Sequence, residues 1–317
     1  MTVAALTSLS IRRSVVALAM ALGVLAAGPA LALDTLKIVV PAAPGGGWDQ
    51  TGRALQAALQ SGGIVKRVTV ENKGGAGGTI GLAQFVSSSK GKPDALMIGG
   101  MVMVGAIISN KSPVSLAQVT PVARLTGEAL VVVVPAASKL QSMKDLIAQF
   151  KANPGSVSWG GGSAGGSDHI LAGLIAQAVG VEPAKVNYIA YAGGGDAQAA
   201  IIGGHVAAGI SGYGEFAGQI KSGKLRALAI SSDKRVPGID VPTLKEQGVD
   251  VELINWRAIF GAPGISDAQK KELISVVEKA VKTPSWQDAL KRNDWTDMFL
   301  PGDQFKSFLD AEQTRIE

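Results

Sequence analysis

The chain contains no cysteine, and this absence excludes several kinds of protein at once. A lipid-modified N-terminal cysteine, a disulfide framework, a thiolate metal site and a thiol nucleophile all require that residue. Histidine is nearly as scarce, because only His169 and His205 are present and neither has a metal-ligating residue three or four positions further on. We therefore expect no metal site.

An excess of charge of either sign is also missing. The 30 Lys and Arg residues stand against 25 Asp and Glu residues, a net charge of +5, and the basic residues are scattered along the chain. Proteins that bind nucleic acid concentrate positive charge in a patch or stripe. The sequence therefore predicts no nucleic-acid partner.

Long apolar runs are confined to the N-terminus. Arg12 and Arg13 end a positively charged segment, residues 14–27 are apolar, and residues 30–32 have the small-x-small pattern that a signal peptidase accepts. A membrane-spanning helix needs about 20 apolar residues, more than this run provides. We predict that residues 1–32 are a signal peptide, cleaved after about Ala32, and that the mature protein is a periplasmic monomer.

What the sequence has in quantity is glycine, with 41 residues that cluster at the ends of apolar runs. Short β-type runs alternate with helical patterns, which is typical of an α/β protein with a mainly parallel sheet. The length favours two domains. We predict domain 1 over residues 33–128 plus 258–317 and domain 2 over 129–257, joined by crossing strands within two long extended runs, 121–135 and 249–260.

Two glycine-rich junctions stand out, one at residues 36–59 and one at residues 156–179. Each has the pattern of a strand, a glycine loop and the start of an amphipathic helix, and such a helix start binds anions through its unpaired N–H groups. Ser167 or Asp168 is predicted as the N-cap of the second helix, while Asp49 caps the first helix or orders a water for a ligand. We expect the two junctions to face each other.

The second junction also matches two enzyme motifs. Gly160, Gly162 and Gly165 satisfy the dinucleotide pattern G-x-G-x-x-G, but the next strand ends without the acidic residue that holds the ribose, and no cofactor is expected. Ser163 lies within a G-x-S-x-G pattern, with Asp196 and His205 following in hydrolase order. A hydrolase that uses Ser163 as its nucleophile, and a plain structural turn, therefore stay open as alternatives to an anion site.

The chain resembles the solute-binding receptors of tripartite tricarboxylate transporters, the Bug family, and within it the tricarboxylate receptor subgroup. The matching segments follow one order over nearly the whole mature chain: residues 44–53, 71–78, 160–169, 192–196, 223–229, 241–243, Trp256 and 261–263. The resemblance implies an α/β, two-lobed periplasmic-binding-protein fold of type II, the Venus flytrap, that closes on a small carboxylate.

It further implies delivery of citrate or a related di- or tricarboxylate to the membrane subunits of the transporter. A ligand sensor and the Ser163 hydrolase are the alternative functions. By position, the resemblance assigns carboxylate contacts to Gly46, Gly47, Asp49, Ser163 and the neighbourhood of His169, whereas Trp48 replaces a smaller residue of many relatives. The predicted ligand-binding residues are Gly46, Gly47, Trp48, Asp49, Gly100, Gly162, Ser163, Gly165, Ser167, His169, Gly194, Asp196 and Tyr213.

Overall fold

The computed structural model describes residues 33–191 and 194–316. Residues Thr35–Glu317 form one compact unit. The predicted signal peptide, residues 1–32, lies outside the described residues. Within the described ranges, no helix has both the length and the hydropathy that a bilayer crossing requires.

Strands and helices alternate along most of the chain, as the sequence predicts. The strands are β1 Thr35–Val40, β2 Arg67–Asn72, β3 Ala95–Gly100, β4 Thr120–Pro135, β5 Ser158–Gly161, β6 Asn187–Ala190, β7 Ala208–Gly212, β8 Leu225–Ile230, β9 Ile254–Gly261 and β10 Thr296–Pro301. The helices are α1 Gly47–Ser61, α2 Thr79–Ser88, α3 Met101–Ser109, α4 Met143–Ala152, α5 Ser167–Ala178, α6 Gly194–Ile202, α7 Tyr213–Lys221, α8 Asp267–Val281, α9 Pro284–Arg292 and α10 Gly302–Ile316.

The strands form a single sheet with the order β2-β1-β3-β9-β4-β7-β5-β6, and β8 and β10 each pair with β4. The pairs within β2-β1-β3 are parallel, as are those within β7-β5-β6. Between these two parallel halves lie β4 and β9, which pair antiparallel from Thr120 opposite Gly261 to Ala129 opposite Ile254. This is the predicted two-lobed α/β fold with two crossing strands, while the predicted domain limits stay a prediction.

The central strand β4 holds the two halves together because it pairs with strands of both. It contacts β9 and β10 through its first part, and β7 and β8 through Leu130–Pro135. All residues from Leu125 to Val134 are buried, and even Ala129 is only 9% exposed. An apolar run buried on both faces is what a strand in the middle of a covered sheet requires.

The second extended run is shorter than the sequence predicts. Strand β9 begins at Ile254, whereas residues 249–253 belong to no strand. The N–H of Val249 donates to the C=O of Leu244, and that of Leu253 to the C=O of Ser231. An apolar composition alone does not separate a strand from a loop packed against the core.

Both glycine-loop helices begin before the predicted caps. The N-cap of α5 is Gly166 rather than Ser167 or Asp168, and that of α1 is Gly46, so Asp49 already lies in the first turn. In each loop the preceding glycine has a positive φ, 89° at Gly45 and 74° at Gly165. The chain therefore turns into the helix earlier than a side-chain cap would place it, by three residues at α1 and by one or two at α5.

Candidate functional site

A cavity of about 580 Å³ lies where the two halves meet, and it brings the two glycine junctions together. Its lining includes Gly47 and Trp48 from the first junction and Gly162, Ser163 and Ser167 from the second. The remaining lining residues are Pro41, Ala42, Ala43, Gly74, Gly75, Ala76, Gly77, Gly78, Val102, Glu128, Asp168, Ser211, Gly212, Glu215, Asn255 and Arg257. The facing arrangement that the sequence predicts is therefore present.

A second cavity of about 730 Å³ adjoins the first and shares part of its wall. Gly47, Glu128, Glu215 and Arg257 line both cavities. The predicted site residue Gly46 lines only the second one, together with residues 292–295 at the end of α9. The cleft between the halves is thus longer than one cavity, and the shared residues lie at its middle.

The N-terminus of α1 is open toward this cleft. The first hydrogen bond of the helix runs from the N–H of Gln50 to the C=O of Gly46, and no side chain in the described part of the chain caps this helix end. The N–H groups of Gly47, Trp48 and Asp49 therefore precede the helical hydrogen-bond pattern at the positive end of the helix dipole. Because Gly47 lines both cavities, this helix end is available to an anion there.

Asp49 is directed to its own loop and does not line either cavity. One carboxylate oxygen, Oδ2, accepts from the N–H of Gly45 and from Arg53 Nε, both at 2.8 Å, and Oδ1 accepts from Asn72 Nδ2 at 2.9 Å. Burial raises the pKa of Asp49, but the hydrogen bonds from Arg53, Gly45 and Asn72 outweigh it and hold the pKa below its usual value. This carboxylate fixes the shape of the first loop.

The start of α5 differs because a carboxylate of the chain itself lines the cavity there. Asp168 Oδ2 accepts from the N–H of Gly162 at 2.8 Å, and Oδ1 accepts from Ser167 Oγ at 3.0 Å. Burial, followed by the charges of Glu215 and Glu128, raises the pKa of Asp168 to about 6 against the lowering effect of these bonds. Asp168 therefore brings negative charge to a helix end that would otherwise attract a ligand anion.

His169 supports the second loop from behind. Its Nδ1 accepts from the N–H of Gly165 at 3.1 Å, and its ring stacks on Tyr188 with 4.3 Å between the centroids. Burial lowers the pKa of His169, so the ring is neutral with its proton on Nε2. Tyr188 in turn donates its hydroxyl to the C=O of Gly162 at 2.9 Å. The predicted residues Gly165 and His169 shape the loop and do not line the cavity.

A buried ion pair crosses the two central strands at the middle of the cleft. Arg257 Nη2 on β9 donates to Glu128 Oε2 on β4 at 2.7 Å, and the two side chains are only 6% and 8% exposed. Burial raises the pKa of Glu128, and the charge of Arg257 opposes that rise. The other nitrogen, Arg257 Nη1, is buried and has no hydrogen-bond partner among the described residues.

Arg257 lies directly against the first loop. A Cβ atom added to Gly47 would overlap the guanidinium group, so the backbone of that loop and the cation are in close approach. The guanidinium also covers the ring of Trp295, with 5.1 Å from Cζ to the ring centroid. The uncapped end of α1 and the cation together form the positively charged part of the cleft.

The wall formed by the second half supplies hydrogen-bond acceptors. Glu215 lies in the first turn of α7, where its Oε2 accepts from Ser211 Oγ at 2.6 Å. Asn255 lines the same cavity, and its Oδ1 is a buried acceptor without a donor among the described residues. Asp168 and Glu215 make this wall rich in negative charge.

The two halves are in contact beside the cavity. A Cβ atom added to Gly105 in α3 would overlap the carbonyl oxygen of Gly165 in the second loop. Within the first half, Trp48 packs against Gly78, whose added Cβ atom would overlap the indole ring. Glycine at position 105 lets the two halves approach each other.

Three other predicted residues do not line the first cavity. Gly100 ends β3 within the sheet, where an added Cβ atom would overlap the carbonyl oxygen of Trp256. Tyr213 is buried in the core with Phe216 and Ala129, and Asp196 is exposed in the first turn of α6. Gly194 is the first residue of α6, next to residues 192–193, which lie outside the described ranges.

The hydrolase alternative requires Ser163, Asp196 and His205 to form a hydrogen-bonded set. All three are exposed, and within the described residues no hydrogen bond joins any two of them. Within the described ranges, no group of His, Asp and Glu residues is arranged to hold a metal ion.

Sequence reasoning missed the charged residues at the middle of the cleft. Glu128 and Arg257 lie inside largely apolar extended runs, but Arg124, Asp250 and Glu252 interrupt the same runs, so no local signal marks the pair. Glu215 carries no such signal, because an acidic residue in the first turn of a helix is common.

Comparisons with known proteins agree with this architecture. The family model described as tripartite tricarboxylate transporter family receptor matches residues 53–317. The protein BugT of Bordetella pertussis is 31% identical over 285 residues, which cover 88% of this chain and 86% of BugT. The structure of a TctC solute-binding protein from Polaromonas is 26% identical, with a TM-score of 0.71 and coverage of 89% of this chain and 96% of that one.

Two more distant structures, both from Rhodopseudomonas palustris and both 21% identical, share the fold. MatC with bound malate has a TM-score of 0.75 and covers 89% of this chain and 97% of its own. An adipate-bound protein has a TM-score of 0.76, with 89% and 94% covered. The family model and the match to BugT show that the chain belongs to the tripartite tricarboxylate transporter receptor family, whose members are solute-binding proteins.

Proposed function

We propose that this protein is a periplasmic receptor that captures a small organic acid in the cleft and delivers it to the membrane subunits of a tripartite tricarboxylate transporter. The observation that carries the proposal is the uncapped N-terminus of α1 beside Arg257, both lining one cavity between the halves. Backbone N–H groups at a helix N-terminus, with an adjacent guanidinium, are a favourable environment for a carboxylate.

The relatives support the size and class of the ligand. Malate and adipate, bound by the two structural neighbours, are both short dicarboxylates. The resemblance to the tricarboxylate receptors adds citrate to the candidates. A cavity of about 580 Å³ is in the range of small-molecule sites and has room for acids of this size.

The bound carboxylate would lie over Gly47 and Trp48, within reach of Arg257 Nη1 once the guanidinium turns toward it. Each hydrogen bond to a charged group contributes about 1.5 to 3 kcal/mol. A few such bonds, less the cost of ordering the ligand and closing the cleft, give the roughly 8 kcal/mol of a micromolar complex. We therefore expect dissociation constants near the micromolar range.

Thermal unfolding of the purified protein with a panel of carboxylates tests the proposal. At a ligand concentration 100 times the dissociation constant, binding stabilises the folded state by about 2.7 kcal/mol. For a unit of this size that is a rise in Tm of about 5 °C. Citrate, malate, adipate and their amino- and keto-substituted relatives make up the panel, with sulfate and acetate as controls.

The variant Arg257→Lys should lose most of the Tm shift, because an ammonium cannot reproduce the guanidinium geometry. The matched control, Arg226→Lys, changes an arginine of the second half that donates to backbone carbonyls away from the cleft. A panel in which no acid raises Tm by more than the salt controls would rule out the proposed function.

A further inference from the structure

Three carboxylates line the cavity in which the acid is proposed to bind, those of Glu128, Asp168 and Glu215. Arg257 is the single basic residue in the described lining, and it already pairs with Glu128 at 2.7 Å. Asp168 and Glu215 accept hydrogen bonds from backbone and hydroxyl donors, but neither has a cationic partner in the described part of the chain. An anion that enters the cavity therefore adds to a negative charge that is already in excess.

Asp168 is the carboxylate that this added charge affects most. It is only 8% exposed, whereas Glu215 is exposed and water screens its charge. Glu128 is also buried, but Arg257 compensates its negative charge. A buried carboxylate without a counter-ion relieves the repulsion from a second anion by binding a proton.

The ionised and neutral forms of Asp168 are closely balanced in the protein without ligand. The pKa of Asp168 is raised to about 6, mainly by burial. The hydrogen bonds from Gly162 and Ser167 oppose this rise, because they stabilise the ionised form. The charges of Glu215 and Glu128 favour the neutral form. Asp168 is therefore mostly ionised at pH 7, and the charge of a nearby anion shifts it toward the neutral form.

The neighbours of Asp168 that are not carboxylates keep one charge state between pH 6.5 and 8. Tyr188 on β6 stays neutral, because burial raises the pKa of its hydroxyl. His169, the next residue of α5, stacks on that ring and also stays neutral, because burial lowers its pKa. Arg257 on β9 stays charged at every pH in this range. The other charged neighbours are both carboxylates, Glu128 on β4 and Glu215 on α7.

Resting on the function proposed above, we propose that Asp168 takes up one proton from solvent when an organic acid binds in this cavity. The proton bonds to a carboxylate oxygen and converts a repelling anion into a neutral hydrogen-bond donor. With the proton on Oδ1, the N–H of Gly162 still donates to Oδ2, so the second loop keeps its shape. The O–H of Asp168 then donates to an oxygen of the bound acid. Binding strengthens as the pH falls from 8 to 6.5, because the proton and the acid bind to the same complex.

Titration calorimetry at pH 7 in two buffers counts the protons. The observed enthalpy of binding includes the ionisation enthalpy of the buffer multiplied by the number of protons taken up, so titrations in PIPES and in Tris give that number. Malate, adipate and citrate are the probes. The first two are almost fully ionised above pH 6.5, so a proton taken up with them goes to the protein. We expect about half a proton or more per bound acid at pH 7, and an affinity at least about three-fold higher at pH 6.5 than at pH 8.

The variant Asp168→Asn keeps the shape of the side chain and removes its titration. The amide oxygen can accept from the N–H of Gly162 and the amide nitrogen can donate to Ser167 Oγ, so both hydrogen bonds of the loop have a replacement. Proton uptake with malate or adipate should disappear, and their affinity should no longer depend on pH. At pH 8 the variant should bind them at least as tightly as the parent, because the amide resembles the neutral acid. The matched control Asp310→Asn changes an exposed aspartate paired with Lys306 on α10 and should behave like the parent.

The possible results separate this inference from the proposed function. Equal binding enthalpies in the two buffers would refute proton uptake while the carboxylate receptor stands, and this measurement needs the parent protein alone. Uptake that persists in Asp168→Asn would place the proton on Glu128 or on the acid itself and refute the assignment to Asp168. If none of the three acids binds the parent between pH 6.5 and 8, the proposed function fails and the coupling fails with it.

Discussion

The buried pair of Glu128 and Arg257 gives the sharpest test of how the cleft is built. Both side chains are more than nine-tenths buried, and they join β4 to β9 at the point where the two halves of the sheet meet. The perturbation is Glu128→Gln, which keeps the shape of the side chain and removes its charge. Arg257 then stays buried without its counter-ion, because a guanidinium does not release its proton in a protein.

Removing one partner of a buried ion pair costs about 3 to 5 kcal/mol. The backbone N–H of Gly214 also donates to Glu128, and the glutamine oxygen can keep that bond, so the lower end of the range is expected. A change of 1 kcal/mol in the free energy of unfolding shifts the Tm of a unit of this size by about 2 °C, so the Tm of Glu128→Gln should fall by about 6 °C. The double variant Glu128→Gln with Arg257→Gln leaves no buried charge, and it should be more stable than the sum of the two single changes predicts by at least 2 kcal/mol.

Urea unfolding followed by tryptophan fluorescence measures these free energies, and the surface pair Lys282 and Glu278, joined at 2.8 Å, is the matched control. Changing either of those exposed residues should cost less than about 1 kcal/mol. A ligand carboxylate can replace the missing counter-ion in Glu128→Gln, so a saturating acid should raise its Tm by more than that of the parent. A cost below 1 kcal/mol for Glu128→Gln, or additive effects in the double variant, would refute this account of the pair.

Three further predictions concern the loops and the charge at the second helix. Gly105→Ala places a methyl group against the carbonyl oxygen of Gly165, so it should hold the halves apart, weaken ligand binding at least ten-fold and increase the radius of gyration of the liganded protein in X-ray scattering. The control Gly218→Ala has open space in α7 and should bind normally; equal affinity for both variants would show that the contact plays no part in binding. A side chain at position 46 would also enter open space, so Gly46→Val should leave Tm nearly unchanged and weaken ligand binding at the α1 N-terminus. Unchanged affinity in titration calorimetry would argue against that helix end as a subsite. Burial raises the pKa of Asp168 from 3.8 to about 6, so the folded state binds this proton more tightly than the unfolded chain does. The contribution of Asp168 to the free energy of unfolding therefore falls by up to about 3 kcal/mol as pH rises from about 4 to about 6. Asp168→Asn should remove that fall; parallel stability curves for parent and variant between pH 4 and 6 would contradict it.

Much of the fold could be predicted from the sequence because its determinants are local. The alternation of apolar runs with helical patterns predicts the parallel halves, and the uninterrupted apolar run before Pro135 predicts β4 as a crossing strand. The helix boundaries were less predictable, because Gly45 and Gly165 turn the chain before the expected polar caps. A positive φ is permitted by glycine but not required by it, so composition does not show which glycine makes the turn.

The charges of the cleft could not be predicted, because they arise from tertiary contacts. Glu128 and Arg257 are 129 residues apart, and only the antiparallel pairing of β4 with β9 brings them together. The sequence predicts both loops that line the cavity because a glycine cluster after a strand is a local pattern. The sequence does not show which side chains of these loops line the cavity. Whether Asp49 or Asp168 does so depends on partners elsewhere in the chain, Asn72 for the first loop and Tyr188 behind the second.

The two glycine loops have the same construction but opposite electrostatic consequences. In each, the N–H of a glycine with positive φ donates to the side chain four residues later: Gly45 to Asp49, and Gly165 to His169. The charged acceptor of the first loop is held away from the cleft by Arg53 and Asn72, which leaves the end of α1 free for a ligand anion. The second loop has a neutral acceptor at that position, and the adjacent Asp168 lines the cavity. The two helix ends that line the cavity therefore differ in charge, although the local sequence pattern that builds them is the same.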